Sequence, residues 1–441
     1  MPLYSITMSM RPVQFPWLEM SKWDPKYALF KNWNPKEENI QTKRTKLNEL
    51  FMKLIGYVPT QLSVIPDSFF QSFGPLDLMV ESVLGAEGLF PKGQRPTQTD
   101  TPSVIRLTKK QVFALESMCF FGLLMNTKSK KYVSMLSNKE YTLCIVNYFM
   151  YAWENIPKKN LTWFDKPIII ERRVLNQTIK EPDWNSSKKK LQPIKIIEEK
   201  KGIEDFRNSA QVNFSDPVPG GTLPAAKAHI VQEEILFLIY PELFVTILLV
   251  PEMRSNEAVI VNGVTRTNNY TGYENSFKFA GTFTADSNDI LIIFMDAVNE
   301  KSSLNTINRF EVNLNKAFLG FSADTHGLPI ATGNWGSGAF RSDPYTMSVI
   351  QVLAAAQADR ELNYTTFGNK LDGFREFCLR LVLSNATVSD IYLAAINKLD
   401  KAGNSNYYTE ITNRILQVKN RAYIEKEFPK KSSSSGICTI F

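Results

Sequence analysis

Beyond residue 165, short apolar β-runs alternate with amphipathic helical stretches, and this alternation constrains the fold more than any other feature. Pro167–Glu171, Ala210–Phe214, Ala258–Val261, Ile290–Phe294, Ile330–Thr332 and Asn363–Phe367 read as strands. Between and after them, Gln232–Leu238, Leu304–Leu319, Pro344–Ala358, Leu371–Leu383, Val388–Leu399 and Thr409–Glu427 read as helices. A chain alternating in this way buries its strands as a sheet covered by helices, so an α/β layered domain is expected. The stretch Asp183–Lys201 reads as a polar, lysine-rich connection. Residues 1–165 differ: helical patterns over Lys43–Ile55, Thr108–Met125 and Lys139–Glu154 with proline-punctuated connections predict a helical accessory region. The expected parts are therefore 1–165, an α/β domain over 166–430, and a flexible, serine-containing tail over 431–441.

Composition narrows the chemistry. Cys119, Cys144, Cys378 and Cys438 are scattered without a CxxC, and His229 and His326 are the two histidines, so no His/Cys metal site is expected. The cysteine usage fits a reducing compartment. The start of the chain lacks a charged segment followed by an apolar run, so no secretory signal is expected. The most apolar stretch, Ile235–Val250, is broken by Pro241 and Glu242 and is too short to span a bilayer. A formal net charge of +7 favours anionic partners without choosing among them. The basic clusters Lys43–Lys46, Lys128–Lys131 and Lys188–Lys190 suit either steering of a polyanion or a solvated surface.

Three blocks carry candidate chemistry. In the first, the run ending at Phe214 leads to Gly220-Gly221 and then to Gln232-Glu233-Glu234 at the start of an apolar helix. Paired glycines let backbone amides approach a phosphate or sugar, and a helix start suits an anion or an ionised carboxylate. Acids in a first helical turn are also favoured simply as N-terminal charges, so structural and catalytic readings both stand. In the second, Thr332-Gly-Asn-Trp-Gly-Ser-Gly-Ala-Phe340 lies between a strand and the helix beginning near Asp343. That is the geometry of a phosphate cradle, or equally of a tight turn packed by Trp335. It lacks a P-loop lysine and dinucleotide spacing. In the third, Tyr270-Thr-Gly-Tyr273 offers an exposed ring for stacking, or plain loop chemistry.

In order and spacing, these three blocks together resemble the poly(ADP-ribose) glycohydrolase family. The likeness runs over roughly Thr108 to Gly368 and includes Met295-Asp-Ala297, Leu353-Ala-Ala-Ala356 and Tyr364-Thr-Thr-Phe-Gly368. It implies a macrodomain-like mixed sheet flanked by helices, and hydrolysis of ribose–ribose O-glycosidic bonds that releases ADP-ribose mainly from chain ends. The implied acid/base is Glu234, with Glu233 orienting the ribose hydroxyls. Ile203 and Glu204 would meet the adenine. Asp216, Gly220, Gly221 and Gln232 would line the site. Tyr273 would cover the adenine side. Asn334, Trp335, Gly336, Ser337, Gly338 and Ala339 would wrap the diphosphate, and Phe367 would pack on a ribose. The resemblance implies no cofactor and no metal. The implied partners are poly(ADP-ribose) and ADP-ribosylated proteins, without DNA or RNA specificity, acting in reversal of ADP-ribosylation and the DNA damage response. A monomer in the nucleus or cytoplasm is expected.

The chain departs from the family pattern in two places. Where the family usually reads Val-Asp-Phe-Ala-Asn, this sequence has Val212-Asn-Phe-Ser-Asp216, so Asn213 stands at the family's acid position. The glycine run is Gly220-Gly221-Thr222 rather than three glycines. An amide at 213 keeps hydrogen bonding but cannot ionise. If that lost charge matters most, the chain is instead a catalytically silent or weak ADP-ribose reader. Separately, Cys438-Thr-Ile-Phe441 fits a prenylation box with Lys426, Lys430 and Lys431 upstream, which would give a lipid-anchored pool at a membrane.

Overall fold

The structure, a computed structural model, describes residues 20–124, 132–158, 162–223, 230–284, 289–419 and 438–440. The chain opens with α1 (Met20–Lys31), α2 (Ile40–Ile55), α3 (Pro75–Leu89), β1 (Ser103–Thr108), α4 (Lys109–Phe120), α5 (Lys139–Lys158) and α6 (Thr162–Asp165). It continues with β2 (Pro167–Val174), β3 (Ile194–Ile197), β4 (Ala210–Phe214), α7 (Gln232–Ile239), α8 (Phe244–Leu249), β5 (Glu257–Val264), β6 (Asn268–Thr271), β7 (Lys278–Thr282) and β8 (Ile290–Met295). It ends with α9 (Thr306–Phe321), β9 (Ile330–Gly333), α10 (Pro344–Gln357), β10 (Leu362–Thr365), α11 (Phe374–Leu383), α12 (Val388–Ile396), α13 (Asn406–Lys419) and β11 (Cys438–Ile440).

Two compact units interleave along the chain. The first gathers residues 1–171, 218–252 and 261–289, and the second gathers 172–217, 253–260 and 290–441. A single cut near residue 165 therefore does not reproduce them, because segments of the first unit come from residues 218–252 and 261–289.

The first unit is mostly helical, and its elements start and stop for local reasons. Asn39 caps α2 by accepting from the Thr42 amide at 3.0 Å, and Gly56, at φ +83°, ends it. Thr108 and Gln111 form a reciprocal capping box on α4. The core between these helices is aromatic: Phe120 meets Phe121 and Phe149 edge-on at 5.3 and 5.8 Å, and Phe113 meets Phe149 at 5.3 Å. The hairpin β6–β7 belongs to this unit, and Tyr270 stacks on Phe277 at 5.5 Å within it.

The second unit is the α/β layer. Its strands follow the order β8-β4-β9-β10-β3-β11. The run β8-β4-β9-β10-β3 is parallel throughout, with Val212 opposite Ile293 and Tyr364 opposite Thr332 and Ile196. Parallel strands are covered on both faces, which is why β8 reads Ile290-Leu-Ile-Ile-Phe-Met295 and is buried along its whole length. Helix α9 comes close to β8 at Gly320, where a Cβ would lie 2.8 Å from Ile293 Cγ2. The carboxyl ends of these five strands share one edge, the place where open α/β sheets bind ligands.

Three expectations need correction. The connection Asp183–Lys201 contains a strand, β3, whose Ile194, Ile196 and Ile197 are buried although lysines surround them. Strand β10 ends at Thr365, so Phe367 lies in a turn at φ +53° rather than in the strand. Cys438, expected in a flexible tail, pairs antiparallel with β3 opposite Ile196. Lys128–Lys131, His229, Lys426, Lys430, Lys431 and the last part of the expected Thr409–Glu427 helix lie outside the described residues. Among the described residues, no helix is long and apolar enough to cross a membrane.

Candidate active site

In the first unit, the glycine turn and the paired glutamates meet directly. Glu233 and Glu234 occupy the first turn of α7 and are both buried. The Gly220 amide donates to Glu233 Oε1 at 3.0 Å. Glu234 Oε1 accepts from the Thr222 amide at 3.1 Å and from the Thr222 hydroxyl at 2.8 Å, while Oε2 accepts from the Val231 amide at 3.2 Å. Residue 231 precedes the helix, so Glu234 also satisfies one of the amides that a helix start leaves without a partner. Three donors from two segments fix this carboxylate in one orientation.

Glycine at 220 and 221 is a steric requirement. Both residues have positive φ, +94° and +46°. A Cβ on Gly221 would sit 2.7 Å from Glu233 Oε2 and 2.9 Å from Glu234 Oε1. Gly221→Ala is thus expected to displace both carboxylates and cost about 1–3 kcal/mol for the strained backbone. Denaturant unfolding checks it, and an unchanged midpoint would remove the steric argument.

Tyr273 follows Gly272 in the β6–β7 turn, and a Cβ on Gly272 would run into the Ser276 carbonyl. The Glu274 amide donates to the Ile230 carbonyl at 2.9 Å, tying the turn to the entry of α7. Tyr273 is 37% exposed. Burial, then the charges of Glu274 and Glu234, push its phenol up from the ordinary tyrosine value, against a hydrogen bond with the Gln232 backbone. The first unit thus gathers Gly220, Gly221, Gln232, Glu233, Glu234 and Tyr273. Sequence reasoning missed two neighbours, Thr222 and Tyr141. Burial, followed by the Glu234 charge, raises the Tyr141 phenol. A hydroxyl in place of the third family glycine was the available signal for Thr222.

In the second unit, the glycine-rich loop leaves β9 as expected and reaches α10, whose N-cap Asp343 accepts from the Thr346 amide at 2.8 Å. Trp335 is the buried peg of the turn, its Nε1 donating to the Met295 carbonyl at 3.0 Å. Asn334 Nδ2 donates to the Thr366 carbonyl at 3.3 Å, and the Tyr364 hydroxyl donates to Asn334 Oδ1 at 3.1 Å. Gly336 turns at φ +76°, with Ala297 Cβ only 2.7 Å from where its own Cβ would be. Ser337 Oγ is buried and has no hydrogen-bond partner among the described residues. Gly338 and Ala339 are exposed beside it. A fixed loop with outward small residues and an unpartnered hydroxyl suits an anion. Gln351 was not foreseen as a support. From the apolar helix α10 it donates to the Gly333 carbonyl at 2.9 Å and accepts from the Thr332 hydroxyl at 2.6 Å. A lone amide within Val349-Ile-Gln-Val-Leu353 was its signature.

The other second-unit residues also follow strand ends. Asn213 lies in β4 opposite Phe294 and is wholly buried. Because β4 stops at Phe214, Asp216 is released from strand alternation and is exposed. Its charge adds to burial in raising the Asp296 carboxyl, which Lys316 counters. Ile203 and Glu204 are buried in the short turn after β3, where a Cβ on Gly202 would collide with the Glu204 carboxylate. Phe367 follows β10. Among the described residues, no group of three or more His, Cys, Asp or Glu side chains is arranged to hold a metal ion.

Comparison with known proteins places this geometry. Residues 181–372 match the family model described as poly(ADP-ribose) glycohydrolase, macro domain fold. The chain is 30% identical over 239 residues to poly(ADP-ribose) glycohydrolase 2 of Caenorhabditis elegans, covering 47% of this chain and 49% of that protein. It is 28% identical over 305 residues to a probable poly(ADP-ribose) glycohydrolase 2 of Arabidopsis thaliana, covering 56% and 57%. The chain thus spans about half the length of the curated relatives it matches. A crystal structure of poly(ADP-ribose) glycohydrolase from Thermomonospora curvata aligns at 18% identity and a TM-score of 0.34, covering 44% of this chain and 77% of that one. Residues 181–372 thus carry a likeness to the poly(ADP-ribose) glycohydrolase family and its macro domain fold.

Proposed function

We propose that the chain hydrolyses ribose–ribose O-glycosidic bonds of poly(ADP-ribose) and releases ADP-ribose mainly from chain ends. The observation carrying this reading is the Glu234 carboxylate, buried yet fixed by Thr222 and Val231 over a glycine turn. Glu234 donates a proton to the leaving ribose oxygen as the C–O bond breaks and positive charge develops on the anomeric carbon. Water then adds to that carbon, and its proton returns to the Glu234 carboxylate. Reuse of one acid fits the geometry, since consecutive helical residues point about 100° apart and do not straddle one bond as a glycosidase pair does. Glu233, held by Gly220, orients ribose hydroxyls.

Binding follows from the loops. Amides of residues 334–339 and the Ser337 hydroxyl receive the diphosphate, Tyr273 and Gln232 contact the nucleoside side, and Ile203 and Glu204 recognise adenine. Phe367 packs on a ribose, and Asp216 lines the site. Gly336→Ala is expected to weaken ADP-ribose binding about tenfold, the equivalent of roughly one lost hydrogen bond to a charged group. Titration calorimetry checks it, and wild-type affinity in that variant would remove the loop from the diphosphate site.

Incubation of the purified chain with labelled poly(ADP-ribose), followed by chromatography, tests the reading as a whole. Free ADP-ribose supports it. Retention of polymer without release favours the reader alternative, for which the uncharged Asn213 is the specific motive.

A further inference from the structure

Tyr273 sits in the turn joining β6 and β7, and a two-stranded hairpin is marginally stable by itself. Where its ring stands is therefore decided by what the hairpin is tied to. At the base the ties are buried amides. Asn147 of α5 donates through Nδ2 to Asn268 Oδ1 at 2.7 Å and to the Thr267 carbonyl at 3.1 Å, and its Oδ1 accepts from the Thr282 hydroxyl at 2.8 Å. Asn268 Nδ2 donates in turn to the Cys144 carbonyl at 3.0 Å and to the Leu238 carbonyl at 2.5 Å. The root of the hairpin is thus fastened to α5 and to α7 together.

Nearer the turn, α5 supplies a charge instead. Phe279 opposes Tyr270 and Lys278 opposes Thr271, the positions just below turn 272–276. The Phe279 amide donates to Glu140 Oε2 at 2.8 Å, and the Lys278 ammonium donates to Glu140 Oε1 at 3.3 Å. The Lys278 side chain is 63% exposed, so its ion pair contributes little. The Glu140 side chain is 13% exposed, so the charge-assisted bond to the Phe279 amide is the stronger tie. It gives that amide an acceptor outside the hairpin, as a third strand would. Glu140 itself is placed by the start of α5, where Asn138 Oδ1 accepts from its amide at 2.9 Å.

We infer that Glu140 is a positioning residue for ligand binding, holding the Phe279 amide so that Tyr273 stands over its ligand. This rests on the role given to Tyr273 under Proposed function. Glu140 acts on the ligand through that ring, and the helical region before residue 165 thereby takes a direct part in the site.

The test is a double-mutant cycle between Glu140→Ala and Tyr273→Ala in the full-length chain, read as ADP-ribose affinity by titration calorimetry. Tyr273→Ala should weaken binding about tenfold, within the usual worth of one stacked ring. Glu140→Ala should weaken it about three- to fivefold, but less than about twofold further once Tyr273 is gone. Glu140→Gln keeps an oxygen for the Phe279 amide and Lys278→Ala removes only the exposed ion pair, so both should stay within about twofold of the parent. With polymer, Glu140→Ala should raise KM and leave kcat unchanged, as a loss of uniform binding does. Should Glu140→Ala fold poorly, Glu140→Asp, one methylene short of the amide, carries the same expectation. Parental affinity in Glu140→Ala, an equal loss with and without Tyr273, a Gln variant as weak as the Ala variant, or a fall in kcat overturns the inference. Parental affinity in Tyr273→Ala removes Tyr273 from the ligand and this inference with it. A parent that binds no ADP-ribose fails the functional reading itself, an outcome the cycle separates from failure at Glu140 alone.

Discussion

Glu234→Gln should suppress ADP-ribose release about 10²–10⁴-fold, the usual contribution of a positioned general acid or base, while polymer affinity stays close to wild type. The replacement is nearly isosteric. Its amide oxygen still accepts from the Thr222 amide and hydroxyl, which meet Oε1 at 3.1 and 2.8 Å. Its nitrogen faces the Val231 amide, so one hydrogen bond is lost, and no proton is left to pass to the leaving oxygen. Single-turnover assay of released ADP-ribose beside a polymer-binding titration separates the two effects. Release within tenfold of wild type would move the proton transfer away from Glu234, with Glu233 as the next carboxylate to test.

The largest expected effect on stability lies at Lys109. Its Nζ is wholly buried and donates to Glu242 Oε1 and Oε2 at 3.1 and 3.0 Å, to the Gly263 carbonyl at 2.7 Å and to the Thr265 hydroxyl at 2.6 Å. The Thr265 amide donates to the same carboxylate at 2.7 Å. Lys109→Met leaves Glu242 in the core without its counter-charge, which should cost about 3–5 kcal/mol. Burial already raises the Glu242 carboxyl above the ordinary value, and Lys109 is the principal influence holding it down. Removing the lysine therefore raises it further. A carboxyl whose folded value lies above its unfolded value binds more protons when folded, so its stability contribution is lost as pH rises through the folded value. The gap in melting temperature between variant and wild type should accordingly narrow on acidification from neutral pH. A gap that widens instead would mean that Glu242 stays ionised in the variant.

The parts of the fold legible in the sequence were those whose pattern is local and strong. Ile290–Met295 and Ala210–Phe214 are apolar runs that only a buried parallel strand accommodates well, and both lie where the pattern put them. Strand β3 escaped because three isoleucines and a lysine between charged neighbours carry little periodicity. The hairpin β6–β7 escaped because it is polar and half-exposed. The glycine pair and the paired acids were readable as a motif, but the contact of the Thr222 hydroxyl with Glu234 depends on how the intervening segment returns. The same limit hid the Lys109 network, whose carboxylate lies 133 residues away. Phe367 was misplaced into β10 because a positive φ at a bulky residue has no signature in composition.

The interleaving of the two units has a consequence for synthesis on the ribosome. The helices of residues 20–171 emerge first, but the segments 218–252 and 261–289 that complete their unit follow later. Thr265, the most downstream hydrogen-bond acceptor of the Lys109 ammonium, is 156 residues downstream of it. At about 5–20 residues per second, that partner arrives roughly 8–30 s later. During that interval the nascent chain carries a core-facing ammonium without its acceptors and an aromatic cluster without its cover. Exposed apolar surface of this kind is what chaperones hold during synthesis.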